Sequence, residues 1–573
     1  MKEIMKYFFK KPALYLVLIL VLAVFLRFYK IGQVPPSLNW DEVAMGYNAY
    51  SILKTGQDEW GRKFPLLGFE SFGEYKLPVF VYATIPGVWL FGLNEVGVRF
   101  MPALFGVLGV LVTYFLAKEL FKNEKLALLS AFILAVDIWH LQITRAAFEA
   151  GLAQLLISFS ILLLLKSKKK WFFLPLSFLF ACLSAYAYNS SRIFIPLFFI
   201  VAFLLNRRLF LNNKKGIFCG LIIILLFVIP LILNFNKSAV KGRYQLISIQ
   251  DDPGFVLRIN DARGGLVSSG WPTILVRLIH NKATHYLFVF SKNYLAHFTP
   301  NFLFLKGADH NQQSIPGMGQ FMVVFAPFLI WGLFVLIKKA LTAFSWQSRI
   351  LLAQIFISPL AASTTMNAIP HALRTFCGLP AWQIIIACGL FDIGKRLKRV
   401  RLGKTSALLP AATIFLIAFL LNFGYYLRRY YLVYPRDYSS DWQYGHKQAV
   451  NFAWENKDKY GKIYFSRDYG EPYIFFLFYT QYPPAKYQQL PKVRTKRYDW
   501  VWVDQFDKFY FPDFSDPGDS VLEIYEREKD SGSLLFIGMP GDIPLEWKTG
   551  MPIFTIKEIN FLNGKMAFEI GSF

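Results

Sequence analysis

The chain has little of what usually marks a soluble enzyme. Of its 573 residues only four are cysteine and seven histidine. Cys182, Cys219, Cys377 and Cys388 all lie inside apolar runs, at spacings that match neither a disulfide framework nor a metal site, so they read as packing residues. No glycine-rich loop of the nucleotide-binding kind stands between a strand and a helix, which removes the support for ATP-driven transport. No segment repeats at a solenoid period. Acidic residues are scarce, 37 against 62 Lys and Arg, and a net charge of +25 raises the question of a nucleic-acid partner. The basic residues fall in short clusters between apolar runs, however, which speaks for membrane topology and against a nucleic-acid footprint.

Apolar surface is what the chain has in abundance. At 55% hydrophobic and 18% aromatic residues, with mean hydropathy +0.37, it is too apolar for one soluble fold and predicts a polytopic membrane protein. The first residues carry four lysines ahead of an apolar run at 13–26 with no small-residue cleavage site, so an uncleaved anchor is expected. About twenty apolar residues cross a bilayer as a helix. Runs that approach this length are found at 12–29, 97–117, 125–139, 148–165, 171–187, 193–206, 216–235, 320–337, 347–366, 373–392 and 406–427.

The run at 77–93, broken by Pro78 and Pro86, is decided by charge. If it crossed, the clusters around 118–125, 166–170, 207–215, 338–339 and 395–404 would all lie opposite the amino-terminal lysines, against the positive-inside rule. It is therefore laid along the outer surface as a juxtamembrane helix. The expected fold is mainly α, a polytopic transmembrane helical protein of about 11 spans with outer juxtamembrane helices and a carboxyl-terminal soluble α/β domain. Residues 1–427 form the membrane domain with outer loops 30–96 and 236–318, and 428–573 the extracytoplasmic domain, whose strands are expected near 462–466, 500–504, 533–537 and 566–570. The amino terminus then lies inside the cytoplasmic membrane and the tail outside.

Chemistry on the outer face points to the first loop, with Asn39-Trp40-Asp41-Glu42 and, further on, Gly73-Glu74-Tyr75-Lys76-Leu77-Pro78. A carboxylate at an apolar surface is costly to bury and suits a group that takes a proton from a hydroxyl. Asp41 is thus either a general base or the cap of a helix starting at Val43. The third span ends in Asp137-Ile-Trp-His140-Leu-Gln-Ile-Thr-Arg145-Ala-Ala-Phe-Glu149, which brings Arg145 and Glu149 to the same face. Arg145 is either a fork for phosphate or an interfacial side chain reaching lipid headgroups. Ile369-Pro-His371-Ala-Leu-Arg374 adds a second Arg and a His, and the polar loop around Asp309-His310 is either a cover for the site or an ordinary turn.

Together, the uncleaved first span, the outer loop opening on Asp-Glu and the Arg after the third span resemble the glycosyltransferase C superfamily. The likeness is to the bacterial branch related to protein O-mannosyltransferases and lipid A aminoarabinose transferases, over roughly residues 10–390. The resemblance implies an inverting transfer of a sugar from a polyprenyl phosphate to an acceptor hydroxyl. It makes Asp41 the catalytic carboxylate, Glu42 its partner that either shares the proton or orients the acceptor, and Arg145 the Arg that approaches the donor phosphate; Lys76 and Arg374 are further candidates for the positive charge a departing phosphate needs. Glu74, Glu149, His310 and His371 follow as substrate or site-cover residues. The Glu74–Lys76 stretch is similar to a Glu-Lys-Pro stretch of the aminoarabinose enzymes, but a Tyr intervenes, which leaves a metal role for Glu74 open. No cofactor is assigned, a divalent ion stays open, and the acceptor is a protein, a glycan or a lipid. A flippase or transporter of lipid-linked sugars is the alternative, disfavoured by spans nearly free of charge. A non-catalytic envelope scaffold is the third reading.

Overall fold

The computed structural model describes residues 12–235, 248–252, 254–402, 405–497, 500–543 and 554–572. The amino-terminal lysines, Lys404 and the first part of the expected loop 236–318 lie outside the described residues. Helix is found within each of the eleven apolar runs. Five helices are long and apolar enough to cross a membrane: Glu95–Phe121, Glu149–Lys166, Lys214–Leu233, Val323–Thr342 and Leu408–Asp437. A sixth is reached if Glu124–Ala135 and Ile138–Thr144, bent by 57°, count as one span. The bend has a local cause: Asp137 accepts the His140 N–H at 2.7 Å and so starts a new helix where the first one stops. Pro12–Phe28, Pro78–Phe91, Phe173–Ala185 and Ser191–Leu205 are apolar but shorter.

The chain divides into two compact units, residues 1–29 with 102–427 and residues 30–101 with 428–573. The first unit is helical. Its helices pack closely where small residues allow it: a Cβ on Gly332 or Gly389 would run into the facing backbone of Ala381–Arg399 or Ala326–Thr342. Ser160 and Ser177 exchange hydrogen bonds of 2.8 Å with each other's carbonyls between Glu149–Lys166 and Phe173–Ala185. The expectation that the spans are nearly free of charge does not hold at their ends, since Arg27, Arg99 and Asp137 are buried.

In the second unit the first outer loop groups with the tail, where the sequence reading had assigned it to the membrane domain. The physical reason is burial: ten of the sixteen residues of the Trp40–Thr55 helix are buried, and it packs on Pro472–Tyr479 of the tail. Gln488 of the tail donates to the Ser51 and Thr55 hydroxyls and the Asp58 carbonyl at 3.0–3.1 Å, which ties the end of that helix to the tail. The unit holds a hairpin, β1 (Phe69–Ser71) and β2 (Glu74–Lys76), and a mixed seven-stranded sheet. The sheet strands are β3 (Lys462–Phe465), β4 (Lys492–Arg497), β5 (Trp500–Phe506), β6 (Phe509–Tyr510), β7 (Leu534–Gly538), β8 (Phe554–Asn560) and β9 (Met566–Ser572), in the spatial order β8-β9-β7-β3-β6-β5-β4. The β3 strand runs parallel to both neighbours, and the other pairs are antiparallel.

Candidate functional site

The helix that carries Asp41 begins at Trp40, and its cap is Asn39. The Asn39 side chain accepts the Glu42 N–H at 2.9 Å while the Glu42 carboxylate accepts the Asn39 N–H at 3.2 Å, a complete capping box. Asp41 is therefore free of the capping role and stands in the first turn, where the helix dipole favours a negative charge. Its side chain keeps 40% of its surface exposed; Oδ1 lies 2.6 Å from Lys76 Nζ, and Oδ2 has no hydrogen bond among the described residues.

Glu42 is turned the other way, because neighbouring helical residues project about 100° apart. It is fully buried and meets the guanidinium of Arg99 in a fork, Nε to Oε1 and Nη2 to Oε2, both at 2.8 Å. Arg99, also fully buried, donates further to the carbonyls of Ile31, Pro35 and Ser37. Both Glu42 oxygens thus hold the entry of the helix. Arg99 was missed in the sequence, where its one signal is a lone Arg near the start of an apolar run.

The β1–β2 hairpin turns at Phe72 and Gly73, both with positive φ (58° and 88°), as a two-residue hairpin loop needs. Side chains two apart on a strand share a face. The Tyr between Glu74 and Lys76 is thus what places them side by side, and Lys76 Nζ pairs with Glu74 Oε1 as well as with Asp41. Among the described residues no three His, Cys, Asp or Glu side chains gather at metal-ligand spacing, and the positive charge shared by Asp41 and Glu74 is an ammonium.

The tail orients this helix. Gln443 accepts the Trp40 N–H at 2.8 Å and donates to the Tyr469 carbonyl at 2.6 Å. Gly470 (φ 117°) lies directly against the Trp40 indole, where any Cβ would collide with the ring. Beneath the helix, burial pushes the Glu59 carboxyl up to about 8, against the opposing effect of its hydrogen bond from Asn48. Burial likewise raises Glu471 to about 8, opposed by the Trp500 indole N–H it accepts.

The remaining predicted residues lie in the helical unit. Arg145 is fully buried and donates to the carbonyls of Leu26 (2.7 Å), Arg27 (3.0 Å) and Tyr29 (2.8 Å), closing the end of Pro12–Phe28. A side chain reaching lipid headgroups is excluded by that burial. Arg374, nearly buried, donates to Thr365 Oγ1 and the Asn367 carbonyl, and its own N–H meets His371 Nδ1 at 3.3 Å. The His371 N–H donates to His297 Nε2 at 3.0 Å, and burial lowers His297 to about 4, so a neutral ring accepts that bond. Burial raises the Tyr188 phenol, on which Arg374 and Glu149 act with opposite sign. The structure therefore brings Glu149, His371 and Arg374 together with Tyr188 and His297, neither of which the sequence reading picked out. His310 is exposed in a loop that Gln142 anchors through the Gln312 carbonyl at 2.7 Å.

A bundle of apolar helices, an acidic pair opening the first loop and a mixed α/β tail define a membrane protein of the glycosyltransferase C fold. Residues 17–241 match the family model of dolichyl-phosphate-mannose-protein mannosyltransferases. The fold is similar to that of ArnT from Cupriavidus metallidurans with undecaprenyl phosphate bound, over 97% of each chain at TM-score 0.53 and 12% identity. It is similar to the apo state of the same protein at TM-score 0.53 and 13% identity, again over 97% of each chain. The apo oligosaccharyltransferase of Archaeoglobus fulgidus aligns over 93% of this chain and 70% of its own, at TM-score 0.50 and 14% identity. A search of curated proteins finds no match to the sequence. The fold is accordingly of the glycosyltransferase C type, and residues 17–241 are similar to the mannosyltransferase family model.

Proposed function

We propose that this protein is a membrane glycosyltransferase that moves a sugar from a polyprenyl phosphate to an acceptor hydroxyl, with inversion, on the outer face of the cytoplasmic membrane. The observation that carries the reading is Asp41: half-exposed, not a cap, with one oxygen fixed by Lys76 and the other open. In the proposed step Oδ2 takes the proton of the acceptor hydroxyl while its oxygen attacks the anomeric carbon. The bond from that carbon to the phosphate oxygen breaks, and the electron pair leaves with the polyprenyl phosphate. The donor's own bond supplies the driving force, so no nucleotide is needed.

Positive charge for the leaving phosphate is assigned to Lys76. Arg145 keeps a phosphate role only through the resemblance, since its guanidinium already serves three carbonyls. One observation favours the transporter reading: Arg27 is buried with Nη2 2.8 Å from His140 Nδ1, beside the break between two helices. The test is transfer from a synthetic polyprenyl phosphate sugar by purified parent and Asp41→Asn protein, with donor binding measured on both. Donor binding with transfer absent even in the parent supports a transporter.

A further inference from the structure

Next to Asp41 the second unit carries an aromatic surface that the transfer step does not use. Residues 500 and 502 share one face of β5, and Asp504 follows at a bulge in the pairing with β4, within reach of the Arg467 that also meets Trp502. The Trp500 and Trp502 rings are 5.9 Å apart at 46°, Trp40 lies 5.9 Å from Trp500 at 48°, and Phe72 stacks on Trp500 at 6.0 Å and 13°. Trp40 precedes Asp41 in the chain and Phe72 lies two residues before Glu74, so the row of rings starts at the two carboxylates held by Lys76 and runs along β5. Phe72 is buried, whereas Trp40, Trp500 and Trp502 are each only partly so. At the far end the buried Arg467 has its guanidinium 5.2 Å from the Trp502 centroid and donates to Asp504 Oδ1 at 2.9 Å. The other oxygen, Asp504 Oδ2, is shielded from solvent and has no hydrogen-bond partner among the described residues.

Half-wet indoles in a row leave apolar surface uncovered, and a shielded carboxylate oxygen without a donor is costly. Both are relieved by one kind of molecule. A pyranose has an apolar C–H face that lies flat on an aromatic ring and a rim of hydroxyls that donate to a carboxylate. A serine- or threonine-bearing peptide offers one hydroxyl and has no use for a row of indoles, and a lipid chain has none for Asp504. We propose that Trp40, Trp500 and Trp502, with Asp504 at the end, form the acceptor subsite and that the acceptor is a carbohydrate. This rests on the transferase reading above.

The test uses the full chain in detergent, with mannotriose, cellotriose and chitotriose as probes beside a Ser/Thr-rich peptide, and binding read by calorimetry. At least one trisaccharide should bind, about tenfold more weakly to Trp502→Ala, with Trp502→Phe recovering most of the affinity. Asp504→Asn, which keeps the fold but changes the open oxygen, should weaken the same trisaccharide severalfold and serves if Trp502→Ala does not fold. Failure of all three sugars to bind at millimolar concentration, or equal affinity in the variants, overturns the proposal. Transfer to the bound sugar is read on the same preparation. Binding without transfer leaves the subsite and removes the transferase; transfer to the peptide alone does the reverse.

Discussion

Asp41→Asn separates a base from a structural residue, and the structure sizes both effects. The cap is untouched, because Asn39 and Glu42 form it. The lost first-turn charge costs about 0.3–1 kcal/mol. The ion pair with Lys76 is discounted because Asp41 is 40% exposed, and about 1 kcal/mol is its upper bound. Lys76 also keeps Glu74 as its second partner. Folding should thus weaken by at most about 2 kcal/mol in all. Loss of a general base costs on the order of a hundred- to ten-thousand-fold in rate, which is about 2.7–5.5 kcal/mol in the barrier. The expected result is a folded variant that binds donor and has almost no transfer. The assay is transfer from a synthetic polyprenyl phosphate sugar by detergent-purified protein, with a thermal melt and donor binding on the same sample. Transfer at the parent rate refutes the argument and returns Asp41 to a structural role.

Glu42→Ala strands the Arg99 charge in the interior and should cost on the order of 3–5 kcal/mol, seen as a collapse of the melt or of folded yield; a variant that folds like the parent and loses only transfer makes Glu42 catalytic after all. Arg145→Ala leaves three buried carbonyls without their charged donor, each bond worth about 1.5–3 kcal/mol, so the melt should fall steeply, with Arg145→Lys recovering part. Normal folding with weakened polyprenyl phosphate binding makes Arg145 a phosphate ligand instead. Glu59 holds its proton up to about 8 when folded but only to 4.5 when unfolded, so the folded state binds more protons between those values and stability falls as pH rises across that window. Glu59→Gln should therefore gain on the parent in melts taken from pH 5 to 8, and a gap that shrinks with rising pH contradicts the burial argument. Protease added to intact protoplasts should cut the tail; a protected tail with Lys168 labelled from outside reverses the orientation.

Residues whose structure follows from near neighbours were legible. Helices lie where the apolar runs are, and all four strands expected in the tail are in its sheet, as β3, β5, β7 and β9. The two longer strands that escaped notice, β4 and β8, are the two edges of that sheet. An edge strand carries charge to discourage further pairing, and Lys492-Val-Arg494-Thr-Lys496-Arg497 hides its strand character behind that charge. The apolar stretch at 275–290 falls across two helices, Thr273–Ile279 and Lys282–Ala296, parted at Asn281, which caps the second.

The sequence by itself determined the membrane class, the helical bundle and the strands of the α/β tail, and it pointed to an Asp-Glu pair on the first loop, because hydropathy and charge act over one or two helical turns. Only the tertiary structure decided which carboxylate of that pair meets solvent. Glu42 turns inward because Arg99 waits 57 residues further along, and Asp41 stays out because Lys76 arrives on the far strand of a hairpin. Arg145 reads as a phosphate fork in the sequence, but the ends of another helix claim it. The row of tryptophans exists only because the tail folds against the first loop. A partner's identity across such separations is set by packing, and no local pattern encodes it.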